Sequence, residues 1–541
     1  MNCLFREQRL FFRLLDIKLL KHYSTNKPYF VTTPIFYVNA EPHVGHLYTL
    51  LVADAMKRFQ TMITGKQVLL STGTDEHGLK VIQRVAESHS LKPIELCDKT
   101  SVKFKELCSA FYISNDDFMR TSEQRHKDAV TEFWNKIYRN GFIYKDSYKG
   151  WYCSVDEAFV TELNVTEVER DGKIIKVSLE SGNPVEWFEE DNYKFALSAF
   201  QEKLLKWVLS DPEIVKPNIF YNNLLDELNH GLTDVSVSRP KSRVYWGIDV
   251  PGDDTQTIYV WFDALVNYLT FLGYPDNCSI WPPDCQIIGK DILKFHAIYW
   301  PAFLMAADMQ LPKRIICHSH WLVEDLKMSK SRGNVINPFT VMDKCTSEGL
   351  RYYLLRQGVP HSDTSFSEVQ LPRYLNAELA DNYGNLLSRC LTKTINKQQV
   401  YPSTPCVDFF SNGDFKELIT SLDSLSDLCK EHYSNANFYL GIEAIMSHLR
   451  KSNDFVQKHE PWKLVKCNDK LEKLNAVIYC VCETLRVCSL LLQPIIPVLS
   501  NKVLSKLSIP EEERDWKYTK PCFSSESKRE PRNLSEEKFI V

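Results

Sequence analysis

"YFVTTPIFYVNAEPHVGHLYTLLVADAMKRFQTM", residues 29–62, opens on an apolar, β-branched run and passes through proline into a helical pattern. The run "YFVTT" suits a short buried strand, and apolar residues from 46 to 62 recur at helical spacing. His43 and His46 therefore stand where a strand gives way to a helix, with Gly45 between them. A helix N-terminus carries unpaired N–H groups and positive partial charge, which favours phosphate there. Two imidazoles on one helix face can donate hydrogen bonds to developing negative charge. Gly45 removes a side chain where a flat ring or phosphate must come close to the backbone. The plain alternative is a surface helix that happens to carry histidine. A metal site would need a third ligand, and nothing nearby supplies one.

Outward from this stretch, "QVLLST" reads as a buried strand and "GLKVIQRVAESHS" as a helix. Strand and helix in alternation make an α/β pattern with a parallel sheet, whose ligands sit at the C-terminal strand ends. A second such section spans 258–335, with "IYVWF", "CQIIGKDI", a helix through "FHAIYWPAFLMAA", and "RIICHSH". Residues 116–249 read as an inserted module, with helices at 124–140 and 192–209 and a β-like piece, "VERDGKIIKVSLESGNPVEW". After about residue 370 only helices are predicted, as in a bundle. The polar end is expected to be an extended or partly disordered tail.

The chain has 541 residues, 44% hydrophobic and 25% charged, with a formal net charge of −4. That is ordinary soluble composition, and any nucleic acid must be met by a local patch. The 16 cysteines include no CxxC pair, so reduced, mostly buried thiols are expected rather than a disulfide framework. No unbroken apolar run approaches the roughly 20 residues of a membrane-spanning helix. The first residues alternate Arg6, Arg9 and Arg13 with leucine and phenylalanine, in the manner of an organellar import signal. Glu7 and Asp16 are unusual in such a signal.

Downstream, "LKMSKSRGN" (326–334) sets Lys327 and Lys330 three apart in a loop containing Ser and Gly. Such a loop suits a phosphate clamp, because an ammonium on a long stem can follow charge onto a leaving pyrophosphate. Alone it would be a solvated basic loop. With HVGH near the start of the first α/β half and KMSKS after the second, the pair resembles the signatures of class I aminoacyl-tRNA synthetases. "TTPIFYVNAEPHVGH", "GTDEHG" (73–78), "VSVSRP" (235–240), "WGIDVPGDDTQTIYVWFDALVNY" (246–268) and "IGKDILKFHAIYWPAFL" (288–304) narrow it to the methionyl-tRNA synthetases. The N-terminal segment and compact length look like the mitochondrial type.

The resemblance implies an α/β fold: a Rossmann-like parallel-sheet catalytic domain with an inserted connective module, then an all-α helical-bundle anticodon-binding domain. The expected divisions are a targeting segment (1–26), first catalytic half (27–115), insertion (116–249), second half (250–321), KMSKS region (322–370), bundle (371–508) and tail (509–541). It implies that methionine carboxylate attacks the α-phosphorus of ATP, giving methionyl-adenylate and pyrophosphate, and that the acyl group then passes to the terminal adenosine of tRNA(Met). No general base is needed for the first step, because the carboxylate is already a nucleophile. His43, Gly45, His46, Asp291, Lys327 and Lys330 would hold ATP, with His43, His46, Lys327 and Lys330 catalytic and Arg239 assisting. Asp291 would meet ribose hydroxyls or the amino acid; both remain open. Magnesium would travel with ATP.

Asp75 would pair with the substrate ammonium. Ile35, Tyr37, Trp261, Leu265, Tyr268, Ile292 and His296 would form the side-chain pocket, aromatic and aliphatic walls suited to a thioether. Many relatives carry zinc knuckles in the insertion. Here Cys153 is followed by Asp156, and Ser178 and Ser181 stand where a pair would lie, so no structural zinc is expected. "DNYGNLLSR" and "HEPWKL" imply Asn385, Arg389 and Trp462 as anticodon readers; Trp462 packed under the bundle is the alternative. A mitochondrial-matrix monomer is expected, with no membrane partner.

Three rivals explain less. A cysteine-specific class I enzyme would want zinc-binding cysteines, and a small nucleotidyltransferase leaves the helical half unexplained. A decayed tRNA-binding protein would not need His43, His46, Asp75 and Lys330 intact.

Overall fold

The computed structural model describes residues 27–78, 85–86, 90–153, 158–170, 173–328, 333–411, 413–523 and 529–535. The basic N-terminal segment, most of the helix predicted at 78–90, Asp156 and Lys330 lie outside the described residues.

Seven strands build the central sheet: β1 (Tyr29–Thr32), β2 (Phe36–Tyr37), β3 (Val68–Asp75), β4 (Asp117–Arg120), β5 (Val215–Lys216), β6 (Cys285–Gly289) and β7 (Ile315–His318). Every pairing among them is parallel, in the order β5–β7–β6–β1–β3, with β4 on the far edge of β3. β2 prolongs the β1 edge, pairing Phe36 with Thr74 and Tyr37 with Asp75. All eight residues of β3 are buried, as expected of a parallel strand covered on both faces. The chain leaves β1 towards β3 in one direction and β6 towards β7 in the other. The switch therefore lies between β1 and β6, where Val31 faces Cys285. Ligand crevices open at such a point, beyond the carboxyl ends of the strands.

Helix α1 (Val44–Thr64) covers this sheet, burying Leu47, Leu50, Leu51, Met56 and Phe59. Its Asp54 is fully buried and bonds Arg351 at 2.7 Å, itself fully buried on α2 (Ser347–Gln357). The same guanidinium donates to the carbonyls of Phe111 (2.7 Å) and Ile495 (3.0 Å), so one cation ties the sheet layer to the bundle.

The insertion is less separate than the sequence suggests, because β4 and β5 come from 116–249 yet belong to the central sheet. Within it, Ile143–Cys153 and Val185–Phe195 form a long antiparallel pair, from Ile143 against Phe195 to Cys153 against Val185. The helix predicted at 124–140 is found as Gln124–Arg139, but the one predicted from 192 starts at Gln201. Tyr193 and Phe195 are taken by the strand, whose partner supplies their backbone hydrogen bonds.

The helical half includes α3 (Gly413–Ser434), α4 (Phe438–His459) and α5 (Leu471–Leu492). α5 revises one expectation. The stretch Asn468–Leu492 is long and apolar enough to cross a membrane, but 94% of its apolar window is buried in the bundle. Glu483 and Arg486 interrupt the apolar run, and inside the bundle they pair at 2.7 Å. Arg532–Asn533 pairs with Val400–Tyr401, and Arg529 and Arg532 both bond Glu513, at 3.0 and 2.5 Å.

Candidate active site

A cavity of about 500 Å³ opens at the carboxyl ends of β1, β3, β6 and β7. Its walls include His43, Gly45 and His46 from the start of α1, and Lys327 and Met328 from the KMSKS segment. HVGH and the described start of KMSKS, nearly 300 residues apart in sequence, thus face one space.

His43 is the N-cap of α1, extended at φ −126° and ψ 172°. Its Nδ1 accepts from the Gly45 N–H at 3.1 Å, while His46 Nδ1 accepts from the His43 N–H at 3.2 Å. This is a capping box built from two imidazoles, and it satisfies two of the helix's orphan donors. With both Nδ1 atoms accepting, the proton of each neutral ring sits on Nε2. The rings stack at 3.8 Å with 25° between their planes. Phe36 and Phe104 hold His46 edge-on, at 5.2 and 5.3 Å. Gly45 leaves room for the capping ring: a Cβ there would lie 2.9 Å from His43 Cε1, so the imidazole would have to shift.

At the apolar end stand Ile35, Tyr37, Trp261, Leu265, Tyr268, Ile292 and His296, all lining the same cavity. Tyr268 and His296 are buried, and the phenol donates to His296 Nε2 at 2.6 Å. His296 Nδ1–H donates to the Ile292 carbonyl at 2.9 Å. Burial pushes His296 down to about 4, against the carbonyl's pull, and pushes the Tyr268 phenol well up. Both are therefore neutral, with their protons committed to each other and to backbone. Trp261 lies flat on Phe295 at 3.7 Å. Asp75, buried at the end of β3, lines the cavity beside Tyr37.

The other end is charged. Trp321–Val323 and Leu326–Lys327 pair antiparallel across Glu324 and Asp325, whose φ values are 51° and 60°. A two-residue hairpin wants left-handed φ at both central positions to match the strand twist. The turn brings Lys327 back onto Asp291, and His320 Nε2 stands 3.0 Å from the same carboxylate. Burial alone would raise Asp291; the hydrogen bond and charge of His320, with Lys327, outweigh it and hold the carboxyl far below its usual range.

Thr49 and His318 are among the cavity residues that carry no role in the sequence reading. Thr49, one turn into α1, bonds His318 Nε2 at 2.8 Å, and His318 Nδ1–H donates to the Ser319 carbonyl at 2.9 Å. Burial pushes His318 down to about 4. "CHSH" stands at the carboxyl end of β7, so the strand-end rule applied to that strand would have found it.

Arg239 does not line the cavity. Its guanidinium is enclosed by Tyr259 (4.4 Å), Phe159 and Tyr152 and donates to Ser236 Oγ at 2.9 Å, so phosphate contact is not its place. Among the described residues, no three His, Cys, Asp or Glu side chains converge as a metal site. Away from the cleft, Arg389 lies 5.5 Å over the Trp462 ring and donates to Gln457 at 2.8 Å. Asn385 sits one turn earlier and is exposed. Trp462 also packs, half-buried, against the bundle core.

Residues 29–391 match the family described as tRNA synthetases class I (M). A probable mitochondrial methionine–tRNA ligase of Dictyostelium discoideum is 46% identical over 92% of this chain and 90% of its own. The mitochondrial methionine–tRNA ligase of Mus musculus is 47% identical over 90% of this chain and 86% of its own. Among solved structures, Mycobacterium tuberculosis methionyl-tRNA synthetase in complex with methionyl-adenylate superposes at a TM-score of 0.88. It is 34% identical and covers 95% of this chain and 99% of its own. With a match that runs from the first strand of the sheet into the helical half, the chain belongs to the class I tRNA synthetases of the M group.

Proposed function

We propose that the chain is a methionine–tRNA ligase of mitochondrial translation: it activates methionine with ATP and passes the methionyl group to the terminal adenosine of tRNA(Met). One observation carries the reading. HVGH and the first lysine of KMSKS face a single cavity whose far end is closed by a neutral Tyr268–His296 pair.

The geometry suits an uncharged thioether at one end and a triphosphate at the other. Trp261, Leu265, Ile35 and Ile292 surround the side chain and exclude water, while Asp75 holds the ammonium. Because Tyr268 donates to His296 and His296 to the Ile292 carbonyl, neither proton points at the sulfur. The sulfur would thus meet a polarisable wall. The carboxylate is then positioned to attack the α-phosphorus, and catalysis is positioning plus charge stabilisation. His43 and His46 donate from Nε2 to phosphate oxygens at the helix start. Lys327 and Lys330 follow the charge onto pyrophosphate. Asp291 orients the nucleotide side through Lys327 and His320. Magnesium, held by the phosphates, would supply further charge neutralisation.

The remaining assignments follow the same reading. Residues 27–115 and 250–321 make the catalytic domain, 116–249 the connective module, 322–370 the KMSKS region, and 371–508 the anticodon domain, with 1–26 an import segment to the matrix. Asn385, Arg389 and Trp462 read the anticodon, Trp462 by stacking on an unpaired base. The enzyme acts as a monomer. ATP–pyrophosphate exchange screened across all amino acids tests the function: exchange with methionine alone is expected. Exchange with cysteine, or none, would overturn it.

A further inference from the structure

Behind the methionine end lies a buried chain of groups that touches no part of the cavity directly. Asp263, within Val260–Leu265, is fully enclosed and takes an imidazole on each oxygen. His77 Nδ1–H donates to Oδ2 at 2.7 Å, and His126 Nε2–H donates to Oδ1 at 2.7 Å. His126 Nδ1 reaches Thr270 Oγ1 at 2.8 Å. Each histidine comes from a different part of the chain. His77 follows Asp75 by two residues, and His126 lies on Gln124–Arg139 from the insertion. Asp263 shares its helix with Trp261 and Leu265, which line the pocket.

A second contact closes the loop around the same point. Gly78 has φ +125°, and a Cβ there would lie 2.6 Å from the Tyr37 hydroxyl, so the backbone beside His77 abuts a pocket wall. Trp246 seals the outside: its indole N–H donates to the Glu76 carbonyl at 2.6 Å and its ring meets His77 edge-on at 5.7 Å.

We infer that Asp263 is a positioning residue that fixes the distance between the ammonium anchor, Asp75, and the side-chain pocket. This rests on methionine being the substrate. A ligand gripped at both ends needs those two ends held at one spacing, and small displacements cost binding steeply. The carboxylate suits the role because it can accept from both imidazoles at once. An amide at the same place accepts from one and sets its own N–H against the other.

The test is exchange kinetics on the full chain. Asp263→Asn should raise the methionine KM and the inhibition constant of methioninol by about tenfold, because both carry ammonium and thioether. The ATP KM should stay within about twofold. Methylthiobutanoate, which lacks the ammonium, should bind both proteins equally. His77→Ala should behave like Asp263→Asn, and His77→Asn, which keeps a donor near the Nδ1 position, should restore the methionine KM. Equal losses for methionine and ATP, equal losses for all three methionine-site ligands, or His77→Asn as weak as His77→Ala would each overturn the inference. If the unsubstituted chain gives no methionine-dependent exchange, the functional reading falls instead.

Discussion

The two ends of the cleft solve opposite problems with the same residue type. At the apolar end His296 is buried and neutral, bonded to a phenol and a carbonyl. At the charged end His320 stands beside an ionised Asp291, and the Lys327 side chain is 60% exposed. A thioether offers no charge, so its recognition depends on dry, fixed walls. A triphosphate brings several charges and has to release some of them, so its partners can remain near water. Under the proposed function, selectivity would rest on packing at one end and rate on exposed charge at the other.

Four measurements would break or sharpen that contrast. The largest effect belongs to the charged end. Lys330→Ala should slow exchange by about a hundredfold or more, the scale of losing a transition-state donor. A near-normal rate would remove that lysine from the mechanism. Asp291→Asn comes next, with the ATP KM raised by about thirtyfold, the scale of losing hydrogen bonds to a charged group. The methionine KM should hardly move; if it moves alone, Asp291 belongs to the other end. Trp462→Ala tests a third region, remote from both. Charging of tRNA should weaken by about tenfold, as for loss of one stacked base, with exchange spared. Equal loss of both activities would mark Trp462 as packing.

The smallest effect concerns the neutral histidines. His296, His318 and His448 are each pushed by burial from 6.5 to about 4. The unfolded chain takes up these protons below about pH 6.5, whereas the folded chain resists until about 4, so stability falls as the pH drops through that window. The melting temperature should decline accordingly. His448→Gln, far from the cleft, should make the decline shallower. A slope unchanged in the variant would show that His448 is not held neutral.

How much of this was legible beforehand varies with how local the cause is. α1 and its histidines could be read because a β-branched run, a proline and helical spacing follow one another within 34 residues. The pocket residues were readable only through motif resemblance, since Tyr268 or His296 alone looks like any core aromatic. The hairpin that returns Lys327 to Asp291 was missed because its turn residues are Glu324 and Asp325 rather than Asn-Gly, and left-handed φ is uncommon for glutamate. The strand over Tyr193 and Phe195 was missed because its pairing partner lies some 50 residues away. Arg239 sat in a motif, and its enclosure by three aromatic rings depends on the folded insertion. The imidazole capping box was also hidden, because caps are usually recognised by hydroxyls and carboxylates.

The Arg351–Asp54 contact has an evolutionary corollary. Losing Asp54 leaves the enclosed Arg351 guanidinium without its counter-charge, and losing Arg351 leaves Asp54 only the partly exposed Arg58 at 2.8 Å and Ser114. The cost is up to about 3–5 kcal/mol, whereas replacing both by apolar residues of similar volume is far milder. Single substitutions at either position should thus be purged. Across orthologues the two sites are expected to drift only in concert, giving a paired signature that a large enough set of sequences could find or refute without any protein being made.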